Sequence, residues 1–193
     1  MEPELEELKN KKLYEIYQQY SGRVDEKLFV NPFGIHGVLH SKRVLLINLL
    51  ISNRLAVSRE DTLLLAEASA YHDIGRRQDG ACTVHGLLSF RKAKRLGLIR
   101  LESVEDLNIL KFIIENHCID DTSALKQINS YNIENKERAI FLFNIFKDSD
   151  NLDRVRLGDL DVSYLRNETS KEMVPLALYL YKSGNSLDKV WTC

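Results

Sequence analysis

Only nine glycines and three prolines occur in the 193 residues, few for a chain of many short strands joined by tight turns. Strict apolar–polar alternation is equally scarce, and no convincing strand can be placed. The three cysteines, Cys82, Cys118 and Cys193, form no Cys-x-x-Cys pair and leave an odd one over, which argues for a reducing compartment over a disulfide framework. No apolar run approaches the roughly 20 residues of a membrane span. The first ten residues are acidic and polar instead of basic then apolar, so the expectation is a cytoplasmic protein with no membrane partner. Charge of one sign is lacking too. Lys+Arg number 27 and Asp+Glu 28, a formal charge of -1, so there is no strong nucleic-acid signal and any attraction to phosphate must be local.

What is present is apolar spacing of three and four, the period of helices packed on a core. The fold class expected is all-α, a helical bundle. The length suits one domain over residues 1–193. A first helix is expected from Pro3 to about Tyr20, ended by Ser21-Gly22. Asn31-Pro32-Phe33-Gly34 reads as a loop before an apolar helix from Val38 to about Leu55. Ser58 caps a third helix with an acidic first turn, running through Leu64, Leu65 and Ala68 toward His72. A fourth runs from about Val84 to Arg95, a fifth from Ser103 to near His117, and another from about Asn135 to Asp153. The tail is expected to add helices around Leu160–Leu165 and Lys171–Lys182, broken by Gly184.

All five histidines, His36, His40, His72, His85 and His117, fall near expected helix ends in the first two-thirds of the chain. Register carries more weight than residue type. His40 continues the stripe of Val44, Ile47 and Ile51, and His117 ends that of Leu110, Ile113 and Ile114. His72 follows Leu65 and Ala68, while Asp150 follows Ala139, Phe143 and Phe146. Imidazoles and a carboxylate thus point inward from several helices. A buried unpaired carboxylate costs several kcal/mol or neutralises itself, whereas one divalent cation satisfies several such groups at once. Two residues from Asp150, Asp148 leaves the helix about 200° away, so the pair cannot both reach one ion. Both follow an apolar stripe, Asp150 that of Phe143 and Phe146 and Asp148 that of Phe141 and Ile145, so register alone leaves either as the ligand.

His40 with Ser41-Lys42-Arg43-Val44, then Tyr71-His72-Asp73-Ile74-Gly75, then Lys147-Asp148-Ser149-Asp150-Asn151-Leu152-Asp153, resembles the H…HD…D pattern of the HD-domain metal-dependent phosphohydrolases, over about residues 35 to 155. The resemblance implies an HD-domain helical bundle with the metal site among its central helices and one ion on His40, His72, Asp73 and Asp150. His85 and His117 match positions that supply a second ion in binuclear members, with Asp73 bridging the two. The cofactor implied is a pair of divalent transition metals, with Fe, Mn, Co or Ni favoured over Mg by the many imidazoles.

The activity implied is hydrolysis of a phosphomonoester, phosphodiester or phosphoanhydride of a nucleotide or related small molecule through a metal-activated water, with His72 and Asp73 catalytic. Arg76 stands where many relatives carry Lys and is a candidate phosphate clamp or a solvated helix-end cation. Arg43 is a candidate substrate contact or an ion-pair partner for an acid. His36, four residues before His40, could bind substrate phosphate, act as an acid for the leaving group, or line the opening. Two alternatives share these residues: a di-iron oxygenase of HD type and a non-catalytic nucleotide-binding HD module.

Overall fold

The computed structural model describes residues 10–183, and every regular element among them is helical. The α-helices are α1 (Lys11–Ser21), α2 (Val38–Arg54), α3 (Arg59–Tyr71), α4 (His85–Arg95), α5 (Val104–Asn116), α6 (Asp121–Gln127), α7 (Lys136–Leu152), α8 (Glu168–Glu172) and α9 (Val174–Ser183). Short 3-10 turns occur at Glu26–Leu28, Ile128–Tyr131, Asp153–Arg156 and Val162–Tyr164.

Position in the bundle follows from the distribution of apolar residues. In α2 the consecutive residues Val44, Leu45, Leu46 and Ile47 are all buried, so the helix is apolar on every side and belongs at the centre. It packs on α1, α3 and α7. By contrast α1 buries one face, Leu13, Ile16, Tyr17 and Tyr20, at spacings of three and four. Helix α5 packs on α3, α4 and α7, burying Ile109, Leu110, Phe112, Ile113 and Ile114. The expected serine caps are in place: Ser58 accepts from the amide of Asp61 and Ser103 from that of Asp106, each contact contributing about 1 kcal/mol. Among the described residues no helix is long and apolar enough to cross a membrane.

The structure departs from the sequence reading at both ends. Helix α1 begins at Lys11, with the Asn10 side chain accepting from the Lys12 amide, and the expected start at Pro3 lies outside the described residues. The helix expected over Leu160–Leu165 is reduced to one 3-10 turn, because the Asp161 carboxylate takes both the amide and the hydroxyl of Ser163 and so offers the backbone an alternative to helix. The helix expected over Lys171–Lys182 is two helices, and Pro175 sits in the first turn of the second, where its missing N–H is harmless but where a continuous helix would lose a bond. Gly184 lies outside the described residues. Helix α6 escaped notice because it buries only Ala124 and so shows no apolar stripe.

Candidate metal centre

Five helix ends meet at one place. His40 lies in the first turn of α2, and His72 and Asp73 follow the last residue of α3. His85 opens α4, His117 follows the end of α5, and Asp150 lies in the last turn of α7. Two glycines allow this convergence. A Cβ at Gly75 would stand 2.2 Å from the Ser89 amide nitrogen, and one at Gly86 would stand 2.2 Å from the carbonyl oxygen of Ile114. Gly75 therefore lets the turn after His72-Asp73 press against α4, and Gly86 lets the start of α4 press against the end of α5. The first turn is fastened further. Ser89 Oγ accepts from the Gly75 amide at 2.8 Å, and Lys92 Nζ donates to the Ile74 carbonyl at 3.0 Å. Replacing Gly86 by Ala is expected to cost about 1–3 kcal/mol through overpacking and to part His85 from His117. Thermal unfolding and metal stoichiometry check it; unchanged values for both would show that α4 and α5 can part freely.

The four buried imidazoles share one device. The Nδ1 atom of His72 faces the Ser69 carbonyl at 3.1 Å, that of His117 the Ile114 carbonyl at 2.8 Å, and that of His85 the Cys82 carbonyl at 2.8 Å. His40 Nδ1 faces Asp153 Oδ2 at 2.7 Å. These oxygens can only accept, so each Nδ1 carries the hydrogen and each Nε2 of a neutral ring presents a lone pair. For His72 and His117 the carbonyl lies at the end of the preceding helix, where backbone oxygens need an outside donor.

Those Nε2 lone pairs point at one another and at carboxylates. His40 Nε2 lies 3.1 Å from His72 Nε2, 3.3 Å from Asp150 Oδ1 and 3.5 Å from Asp73 Oδ2. On the other side, His85 Nε2 lies 2.9 Å from His117 Nε2 and 3.0 Å from Asp73 Oδ1, with His117 Nε2 at 3.7 Å from the same oxygen. Asp73 therefore gives one oxygen to each half. Donors 2.0–2.1 Å from a metal stand about 2.9–3.4 Å apart at octahedral to tetrahedral angles, close to the spacing seen here. Acceptors that face one another at this spacing could hold a divalent metal ion, and the residue types fit one.

Without metal, a proton takes that place. Burial and the Arg156 charge oppose protonation of His40, but Asp150, Asp153 and Asp73 outweigh them and raise its pKa to about 10. Burial lowers His72 to about 3. Burial alone would raise Asp73 and Asp150, yet His72 and the other imidazoles around Asp73, and His40 beside Asp150, hold both carboxyls well below the usual range. Burial lowers His85 and raises the Cys118 thiol.

The structure brings His40, His72, Asp73, His85, His117 and Asp150 together, and it separates the other expected site residues by role. His36 Nδ1 stands 3.0 Å from Asp73 Oδ2. Arg76 donates from Nε to Asp73 Oδ1 at 2.8 Å and from Nη1 to the Gly80 carbonyl. Both line a cleft of about 780 Å³ that opens onto His85, His117 and Asp150. Arg43 is corrected from substrate contact to the second of its two expected roles: it is buried, and Nε and Nη2 bond the two oxygens of Asp153 at 2.5 and 3.0 Å. Asp148 is buried as well and accepts from the backbone amides of Arg166 and Asn167, away from the imidazoles.

Three contributors were missed in the sequence. Asp153 orients His40 and holds Arg43. Arg156 reaches Asp153 at 3.2 Å, the Ile35 carbonyl at 2.8 Å and His36 Nδ1 at 3.3 Å, and the residue borders the cleft. Cys118 places its sulfur within 4.8 Å of the His85 and His117 ligand atoms. Spacing could have found the first two, since Asp150, Asp153 and Arg156 recur every three residues; no local pattern marks Cys118. Comparison with family models, with curated proteins and with solved structures returned no match.

Proposed function

We propose that this chain is a metal-dependent phosphohydrolase of the HD-domain kind, acting on a phosphorylated small molecule such as a nucleotide. The observation that carries the reading is the set of four imidazole lone pairs converging with Asp73 and Asp150 on two adjoining positions, beside an open cleft whose walls carry both aspartates and arginines, Arg76 among them. Two divalent transition metals held there by His40, His72, Asp73, Asp150, His85 and His117 would supply a water that is nucleophilic near neutral pH and Lewis-acid stabilisation of phosphoryl oxygens. The chain's own residues do the rest. Asp73 and the imidazoles hold the centre, and Arg76, at the cleft wall, is the guanidinium offered to phosphate oxygens. His36, at the cleft wall between Asp73 and Arg156, would hydrogen-bond the substrate near the reacting group in this reading.

The test is metal analysis of protein purified without added metal, followed by a phosphate-release screen over nucleotides and sugar phosphates with and without chelator. About two ions per chain and chelator-sensitive release are expected. Undiminished activity in metal-free protein would remove the reading; iron with oxygen consumption and no phosphate release would favour the oxygenase instead.

A paired substitution separates the two carboxylates of α7. Asp150→Asn is expected to lose the ion of the His40–His72 half together with most turnover, since it removes the charge next to His40 Nε2. Asp148→Asn is expected to keep metal and lose about 1–3 kcal/mol of stability, because the backbone and guanidinium donors of Arg166 lose their charged acceptor. Metal retained in Asp150→Asn and lost in Asp148→Asn would reverse the assignment.

A further inference from the structure

We propose that Cys118 is a thiolate ligand of the ion held between His85 and His117, which makes that half of the centre a site for a soft divalent metal such as zinc, cobalt or iron. The inference rests on the reading of the imidazole cluster as a metal centre and adds to it a sulfur donor and the metal class that donor selects.

The two halves are unequally supplied. Around His40 four protein donors meet: His40 Nε2, His72 Nε2, Asp73 Oδ2 and Asp150 Oδ1. Around His85 there are three, His85 Nε2, His117 Nε2 and Asp73 Oδ1. The ligand atoms of His85, His117 and Cys118 all lie within 4.8 Å of one another. Nitrogen and sulfur on a tetrahedral ion stand about 3.6 Å apart, given metal–nitrogen bonds near 2.0–2.1 Å and a metal–sulfur bond near 2.3 Å. The donors of His85, His117 and Cys118 thus form a cluster on the scale of one ion's ligand set.

The surroundings hold the sulfur in that position. Cys118 directly follows His117, and its thiol donates weakly to the Thr83 carbonyl at 3.3 Å. Thr83 is two residues before His85, so the side chain lies on the seam between the two imidazoles' segments. Cys82 is used differently: its carbonyl accepts from His85 Nδ1, and its sulfur is not among the clustered donors. Two buried imidazole lone pairs with a thiol beside them favour metals that bind soft ligands over magnesium or manganese.

Cobalt(II) titrated anaerobically into metal-free protein reads the ligand directly, because a thiolate on cobalt gives a near-ultraviolet charge-transfer band that imidazoles and carboxylates do not. The band is expected to grow with the equivalent that fills the His85 half, to be lost in Cys118→Ser and to persist in Cys82→Ser. That equivalent should also bind at least about tenfold more weakly in Cys118→Ser, the lower bound for loss of even an outer-shell partner. A second measurement needs no variant. Cobalt or zinc should slow alkylation of Cys118 by iodoacetamide about tenfold or more, read by peptide mass, since the thiolate is the reacting species. Two cobalt ions bound without the band, and with alkylation unchanged, would overturn the role of Cys118 and leave the metal centre standing. A band that survives in Cys118→Ser would overturn it too. Absence of cobalt binding would remove the metal centre itself, and this inference with it.

Discussion

Asp73→Asn is expected to abolish turnover and to reduce bound metal from about two ions to one or none, the largest chemical effect of any single substitution in this chain. Its two oxygens face different halves of the centre, Oδ2 toward His40 at 3.5 Å and Oδ1 toward His85 at 3.0 Å, so the one charge serves both. A bound cation supplies several kcal/mol of charge stabilisation to a phosphoryl transition state; at 1.36 kcal/mol per factor of ten, its loss lowers the rate about a thousandfold or more. Asparagine keeps the shape and one oxygen, so the fold should persist by circular dichroism. His117→Ala should be milder and remove only the ion of the His85 half. Equal metal content and kcat within about tenfold of wild type in Asp73→Asn, less than even an outer-shell loss commonly costs, would defeat the bridging assignment.

Asp153→Ala is expected to be the most destabilising substitution near the centre, at about 3–5 kcal/mol, the usual cost of leaving a buried charge unpaired. The carboxylate is fully buried and accepts from both Arg43 nitrogens, from Arg156 Nη1 and from His40 Nδ1. Its removal strands the buried guanidinium of Arg43 and frees the His40 ring to turn, so metal affinity should fall along with stability. Chemical denaturation of the metal-free protein measures the first effect and metal titration the second.

Asp153→Asn tests the charge alone. Burial opposes ionisation of Asp153, but His40 and Arg43 outweigh it and hold its pKa below the ordinary 3.8. A carboxyl lowered in the folded state contributes stability that is complete above the unfolded value and lost as pH falls through the folded one. The gap between wild type and Asp153→Asn should therefore be widest at neutral pH and close in acid below about pH 3.8. A gap independent of pH would mean that Asp153 acts through shape and not through charge.

The chain's elements differ in how plainly the sequence marks them. Helices α2 and α3 were legible from their long buried apolar runs, α5 and α7 from apolar residues spaced three and four apart, and serine caps mark the starts of α3 and α5. The tail was not, since Pro175 and the local turn at Asp161 interrupt segments whose composition still favours helix. For Arg43 the sequence left two roles open, because a cation one turn past a histidine looks the same whether its partner is a phosphate or a carboxylate 110 residues away.

What the sequence by itself determined is therefore local: an all-helical chain, its caps, and the inward registers of His40, His72, His117 and Asp150, all of which follow from the 3.6-residue period. Only the tertiary structure decided which helix ends meet. Gly75 and Gly86 set how closely α3, α4 and α5 approach, and that approach turns separate inward imidazoles into two facing sets of lone pairs with Asp73 between them. It also decided that Asp153 stands behind His40 and the thiol of Cys118 beside His85, because contacts between residues far apart in the chain depend on packing geometry that no local period encodes.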